Sequence, residues 1–506
     1  MDIRVRKYLP LIFLLATVLV FLYLGRVHEF IDYPPFAVHA WRQADSAAQF
    51  YNFYAGSEPF WRPQVFNLTG ENGRVISELP ILYWLVGQWS KIFGFHDGWL
   101  RGLHLLIFLT GVYHLYKIGH LLTGDRWLAL IAPILLTASP LVLYYSFSAI
   151  PNVPAISLAI IGWWFYFQFR LPFNNKNSDG GISKLYLAGA LILFAALLKP
   201  SEGLHFVAIS IAEGIRLFKT AAYRKYWLLL QVLFFSIFIG YLLYVDAYNG
   251  RFGNQANLQG ILPIWELDST HLALATKDLF LSHRRLAFED TFWILFLLLT
   301  AGWLLHPKAR KESIGLPVLL ALGGAVVYIL LFYSAFYGHD YYALTLILPF
   351  LLAAILGLRY YAAFFRYKWV KYSTVILGLS LLLFSFSYVP RKLDPRYEMT
   401  ATKVPPLDPS TEFAQRFAEF GIDKEAKVLM IPDNSPNVGL YYFKRKGWSD
   451  YLVDDPEAVK WHYLRPAIDY VVIIRPEVLI KRKWLVERLG PALFTHQGMS
   501  VHRILR

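Results

Sequence analysis

The 506-residue chain contains no cysteine. A disulfide framework and a thiolate-bound metal are therefore both excluded. Charge is scarce as well: 17% of the residues are Asp, Glu, Lys or Arg, where soluble globular proteins carry roughly a quarter. There is no Gly-rich phosphate-binding loop and no internal repeat. The long apolar stretches hold few ionisable residues, chiefly His104, His114 and Glu213, and these form no evident relay.

What is present points to a membrane. The composition is 56% hydrophobic, with 16 Trp, 33 Tyr and 39 Phe, and aromatic rings collect at lipid–water interfaces. The net charge of +14 does not indicate nucleic acid, because the basic residues sit in short loops between apolar runs, where they report orientation. Arg4, Arg6 and Lys7 precede an apolar run at 9–24 with no small-residue cleavage site after it. An uncleaved signal anchor is expected there.

Runs suited to crossing the bilayer, which takes about 20 apolar residues, occur at 8–25, 99–122, 127–145, 153–169, 185–198, 204–218, 226–244, 292–306, 316–336, 342–358 and 372–389. The two short runs at 185–198 and 204–218 flank Lys199-Pro200, where proline interrupts the helix. A further run at 79–93 contains Gln88, Ser90 and Lys91. If it lies along the membrane surface, the basic clusters at 4–7, 117–126, 170–184, 216–225, 308–311 and 359–371 all fall on the cytoplasmic side. The expected fold is a polytopic α-helical membrane protein of about 11 transmembrane helices with a small C-terminal α/β soluble domain. Residues 1–390 form the membrane domain, with outer loops at 26–98 and 246–290, and residues 391–506 the soluble domain. Within the latter, 428–431 and 470–474 read as buried strands, Ser435-Pro436 as the start of a helix through Phe443, 481–489 as a second helix, and 492–505 as a hairpin turning near Gln497-Gly498.

The first outer loop carries the most distinctive string, residues 39–54. Ser46 with Gln49 fits a capping box, which predicts a helix beginning at Ser46 with Phe50, Phe53 and Tyr54 on one face. Asp45 then stands at the positive end of the helix dipole, free for chemistry. The plainer alternative makes Asp45 itself the N-cap.

Trp41-Arg42-Gln43-Ala44-Asp45, followed by an amphipathic helix and Ser77-Glu78-Leu79-Pro80, resembles the bacterial GT-C glycosyltransferases. These are relatives of the protein O-mannosyltransferases and of the aminoarabinose transferase acting on lipid A. The resemblance continues through Pro151-Asn152, Leu198-Lys199-Pro200 and His339-Asp340-Tyr341-Tyr342, and so runs through the membrane half in order. It departs at Asn152, where members often carry Asp, which removes any role needing charge there.

The resemblance implies transfer of a sugar from a polyprenyl-phosphate donor to an acceptor hydroxyl on the outer face, with inversion. Asp45 is the expected base. Lys199, assisted by Arg42 or His339, is expected at the donor phosphate. Glu78, Asp340, Trp41, Tyr341 and Tyr342 are candidates for binding sugar or acceptor. The plainer readings are a snorkelling lysine, a solvated loop acid, a polar turn and interface aromatics. Some members use a divalent cation such as Mg or Mn, to which Glu78 is open. No Asp-x-Asp pair lies near Asp45, and no metal ligands are assigned. The expected partners are the lipid-linked donor, a lipid, glycan or protein acceptor and membrane lipids, without nucleic acid. The expected setting is the inner (plasma) membrane, with the N-terminus cytoplasmic and the site and C-terminal domain periplasmic. That domain is expected to help choose the acceptor. The rival readings are a transporter or lipid flippase, which would place ionisable groups at mid-membrane, and an inactive GT-C-like assembly subunit, which Asn152 favours.

Overall fold

The computed structural model describes residues 3–171, 179–219, 223–253, 260–309, 312–398, 413–433, 435–450, 467–496 and 498–505. Lys176, Arg310 and Lys311 of the expected cytoplasmic loops, and Gln497 of the expected hairpin turn, lie outside them. The chain divides into two compact units. The first comprises Met1–Glu29, His104–Leu242 and Gln259–Leu393; the second comprises Phe30–Leu103, Leu243–Leu258 and Asp394–Arg506.

Among the described residues the first unit forms helices joined by turns and no strand. Each apolar run read from the sequence is found in a helix or in a bent pair of helices. Among the described residues five helices are long and apolar enough to cross a membrane, or up to seven if each of two bent pairs is one span. The bent pairs are Leu128–Thr137 with Pro140–Ser146, at 69°, and Ser269–Ala287 with Asp290–Leu305, at 89°. Ser139 caps the second member of the first pair by accepting from the Val142 amide, with Pro140 at the first helical position, the arrangement that proline's fixed φ and missing N–H favour. The protein is an integral membrane protein of the helical class: long helices rich in Leu, Ile and Phe present exposed apolar side chains along much of their length, as at Leu228, Val232, Ile239 and Leu243.

The second unit is built from Phe30–Leu103, Leu243–Leu258 and the C-terminal residues. Ala40–Ala55 and Ile81–Phe93 are helices packed on each other. The latter has 13 residues, about 20 Å, short of the roughly 30 Å hydrocarbon core. It buries Leu82, Tyr83, Val86, Gly87 and Ser90, a 3–4 residue spacing that marks one helix face. Leu85, Trp89, Ile92 and Phe93 stand exposed.

The C-terminal residues form a five-stranded mixed sheet in the order β2-β1-β3-β5-β4. The strands are β1 Val428–Ile431, β2 Gly447–Ser449, β3 Tyr470–Ile473, β4 Leu489–His496 and β5 Met499–Ile504. β1 pairs in parallel with β2 and β3, and β5 antiparallel with β3 and β4. Leu429, Ile431, Val471 and Ile473 alternate onto one face and pack with Trp448, Ile468 and Leu485, as a period-two strand pattern requires. The other edge of β2 is extended by the segment at 66–68: Gly447 N–H donates to the Phe66 carbonyl (3.0 Å), and Leu68 N–H donates to the Gly447 carbonyl (2.7 Å).

Three local expectations are corrected. The helix of the first loop begins at Ala40, not Ser46. The helix expected from Ser435-Pro436 spans only Val438–Phe443, although Ser435 Oγ does accept from the Val438 amide at 3.0 Å. The helix expected at 481–489 is a 3-10 turn, Pro476–Lys481, followed by one helical turn, Lys483–Val486, because the chain enters β4 at Leu489.

Candidate active site

The earlier start of the Ala40–Ala55 helix changes how Asp45 is held. His39 takes a left-handed conformation and offers no side-chain cap, and Ala40, Ala44 and Ala48 are buried at 0% exposure. Burying that small-residue face outweighs a cap, worth about 1 kcal/mol. Ser46, the expected cap, instead joins a side-chain network. Asp45 therefore lies in the second turn, neither an N-cap nor at the helix end, and the dipole fades within the first turn.

The motif Trp41-Arg42-Gln43-Ala44-Asp45 can be read side chain by side chain within the second unit. The Gln43 amide donates to the Phe36 carbonyl (3.1 Å) and accepts from the Arg101 guanidinium (3.1 Å), which clamps the approach to the helix. Arg42 pairs with Glu78 and also donates to Ser46 Oγ at 3.1 Å, one helical turn on. Tyr83 donates to Glu78 and lies 3.0 Å from Ser46 Oγ. Each Glu78 oxygen thus has a protein partner, Arg42 on one and Tyr83 on the other, and Glu78 is buried at 5% exposure. Trp41 is half-buried.

Asp45 is 8% exposed. Its Oδ1 accepts from the Asn437 side-chain amide at 2.7 Å. Burial pushes the Asp45 carboxyl up to about 6, against the opposing pull of Arg42 and the Asn437 hydrogen bond, while the Glu78 charge adds to the rise. A carboxylate tuned towards neutral pH is suited to accept a proton.

The remaining expected residues gather in the first unit. The Lys199 ammonium stands 4.4 Å from the Tyr342 ring centroid and 5.8 Å from that of Tyr341, within cation–π range. Lys199 follows the Asp179–Leu198 helix in an extended conformation, and Pro200 opens the next 3-10 turn. Asp340 is buried and accepts from Tyr145 Oη at 2.6 Å. Asn152 donates its side-chain amide to the Tyr341 carbonyl at 3.2 Å, a structural use that needs an amide and no charge. The His339 ring lies 5.6 Å from Tyr341 and 6.3 Å from Tyr342. Lys199, Asn152, His339, Asp340, Tyr341 and Tyr342 are thus one neighbourhood, and Arg42, Asp45 and Glu78 another.

Sequence reasoning missed several members of these neighbourhoods. Tyr83 stands on the helix just after Glu78, and a tyrosine one turn past a motif acid was a usable signal. Glu202, fully buried beside His205 (3.4 Å), accepts from Thr345 Oγ1 at 2.8 Å; it lies three residues after Lys199 and was legible as an acid in an apolar run. Asn437 had no local signal, being 392 residues from its partner.

Among the described residues no group of three or more His, Cys, Asp or Glu could hold a metal ion. Among the described residues the Asp45 network holds one other carboxylate, Glu78, whose oxygens are engaged by Arg42 and Tyr83.

No protein-family profile matches the chain, and no curated protein matches it in sequence. Solved structures do match in three dimensions. ArnT from Cupriavidus metallidurans in the apo state superposes with a TM-score of 0.58 at 12% identity, covering 97% of each chain. The same protein bound to undecaprenyl phosphate gives 0.57 at 12% identity over 97% of each chain. The Archaeoglobus fulgidus oligosaccharyltransferase, in complex with Zn and sulfate, gives 0.57 at 10% identity, covering 90% of this chain and 67% of that one. By these matches this chain has the GT-C glycosyltransferase fold.

Proposed function

We propose that the protein is a glycosyltransferase that moves a sugar from a polyprenyl-phosphate donor to an acceptor hydroxyl, with inversion at the anomeric carbon. The observation that carries this reading is Asp45: a buried carboxyl raised to about 6 on a GT-C scaffold, one oxygen held by Asn437 and the other without a hydrogen-bond partner among the described residues. The lipid carrier is suggested by the related ArnT structure bound to undecaprenyl phosphate.

In the proposed reaction the acceptor oxygen attacks the anomeric carbon as its proton passes to Asp45. The bond from that carbon to the phosphate oxygen breaks, and its electron pair leaves on the phosphate. A phosphate ester leaves readily, so what helps is positive charge where negative charge develops. Lys199 is the proposed group, with Tyr341 and Tyr342 holding its ammonium, and His339 alongside. Arg42, paired with Glu78, balances the charge beside Asp45. Asp340 orders the turn that carries the two tyrosines. The site faces the periplasm in this reading, with the N-terminus cytoplasmic.

The test is transfer of labelled sugar in liposomes from a panel of polyprenyl-phosphate sugars, comparing wild type with Asp45→Asn and Lys199→Ala. Turnover by wild type that disappears in a folded, donor-binding Asp45→Asn protein supports the reading. Full turnover in that variant removes Asp45 from the chemistry. Donor crossing the bilayer intact, without hydrolysis or transfer, would favour a flippase.

A further inference from the structure

We propose that Asn437, carried by the C-terminal residues, is a positioning residue for the Asp45 carboxylate, so that the sheet-bearing end of the chain completes the catalytic centre. The inference rests on Asp45 being the base. Asn437 and Asp45 are both buried, at 3% and 8% exposure, and the Asn437 Nδ2 donates to Asp45 Oδ1 at 2.7 Å.

The polarity of the Asn437 amide is set by its other contact. The Asn67 backbone N–H, which can only donate, points at Asn437 Oδ1 at 2.8 Å. The amide oxygen must face Asn67, so the NH2 group must face Asp45. Asn67 is itself anchored. Its side-chain amide donates to the Pro436 carbonyl at 2.8 Å, and its oxygen accepts from the Thr69 amide at 2.8 Å.

The turn that presents Asn437 is organised around a buried acid. Asp433, at 0% exposure, accepts from the Ser435 amide (2.9 Å), the Ser435 hydroxyl (2.6 Å) and the Gly439 amide (2.8 Å). A Cβ at position 439 would come within 2.5 Å of Asp433 Oδ2, so glycine lets the backbone close on the carboxylate. A side chain held at both ends in this way fixes one oxygen of Asp45 and leaves the second for the acceptor hydroxyl, the second-sphere support that a placed base needs.

A donor to a carboxylate favours its charged form. Removing Asn437's amide must therefore raise the Asp45 carboxyl, whereas a purely structural role would lower the rate equally at every pH. The experiment is the pH–rate profile of the full-length protein in liposomes for wild type, Asn437→Ala and the isosteric Asn437→Asp, with thermal melting alongside. A shift of about one unit is expected for Asn437→Ala, which takes the base from about half to about a tenth ionised at pH 6: a roughly five-fold loss there and almost none at pH 8. Asn437→Asp, which keeps the shape of the turn and sets a second carboxyl against Asp45, should move the acid limb up further and carries the test if the alanine variant does not fold. An unmoved limb in the folded Asn437→Asp protein overturns the inference. If Asp45→Asn is dead while the limb does not move, only the role of Asn437 fails. If Asp45→Asn is fully active, the base assignment fails first.

Discussion

Asp45 is exposed to two opposing neighbours, and their signs lead to separate predictions. If Asp45 is the base proposed above, its carboxyl must be ionised to accept a proton, and the rate of transfer should rise as pH climbs through about 6. Glu78 raises the Asp45 carboxyl and Arg42 lowers it. Glu78→Gln removes the like charge and releases Arg42, and should move the acid limb of the pH–rate profile to lower pH, opposite to the shift expected at Asn437. The same change breaks the ion pair between Arg42 and Glu78, at a cost of about 3 kcal/mol, which denaturant melts in detergent would read. Lys199→Ala should lower kcat by about 10²- to 10³-fold, the range for losing one group that stabilises developing negative charge. Lys199→Arg keeps the charge over Tyr342 and should retain more activity than the alanine variant, in single-turnover assays with labelled donor.

At the scale of elements, the Ala40–Ala55 helix is placed by its neighbour. Gly87 of Ile81–Phe93 lies against Phe53, and a Cβ there would stand 2.7 Å from Phe53 Cβ and 3.1 Å from its backbone carbon. Gly87→Val must push the two helices apart. The expected cost is about 1–3 kcal/mol, typical of overpacking, together with loss of turnover, because Glu78 and Tyr83 flank the start of the displaced helix while Arg42 and Ser46 ride on the other. Thermal melting and activity measured on the same sample check both. The capping-box pattern at Ser46 and Gln49 misplaced the start of this helix for a physical reason. Capping is a local preference worth about 1 kcal/mol, and Ser46 gains more from Arg42, Tyr83 and Glu78 than from the backbone of its own helix.

At the scale of the molecule, the C-terminal residues and Phe30–Leu103 belong to one compact unit. Lys446 Nζ donates to Gln64 Oε1 at 2.8 Å, Gly447 bonds to Phe66 and Leu68, and Tyr442 Oη donates to the Pro35 carbonyl at 3.1 Å. A chain ending before the sheet would strip these partners from the loop that carries Asp45. Such a truncation should therefore abolish donor turnover altogether, rather than only narrowing the choice of acceptor as the sequence reading expected of that segment. Donor hydrolysis by the truncated protein in liposomes, at wild-type rate, would contradict this. The membrane half is governed by different physics. Its helices satisfy their own backbone groups and expose apolar side chains, which is what a lipid environment demands of any spanning segment.

The membrane class, the helical runs, the strands at β1 and β3 and the hairpin of β4 and β5 were all written in the sequence. Each is a pattern of neighbouring residues: an apolar run, a period of two, a glycine at a turn. Asp45, Glu78, Lys199 and Asp340 were singled out in the sequence because the motifs that carry them resemble those of the GT-C glycosyltransferases, and their roles are proposals. What only the tertiary structure decided is how they are held. That Arg42 meets Glu78, that Tyr145 meets Asp340 and that Asn437 meets Asp45 are pairings across 36, 195 and 392 positions. No local propensity encodes such a pairing; it arises because buried polar groups must find partners wherever folding brings them together.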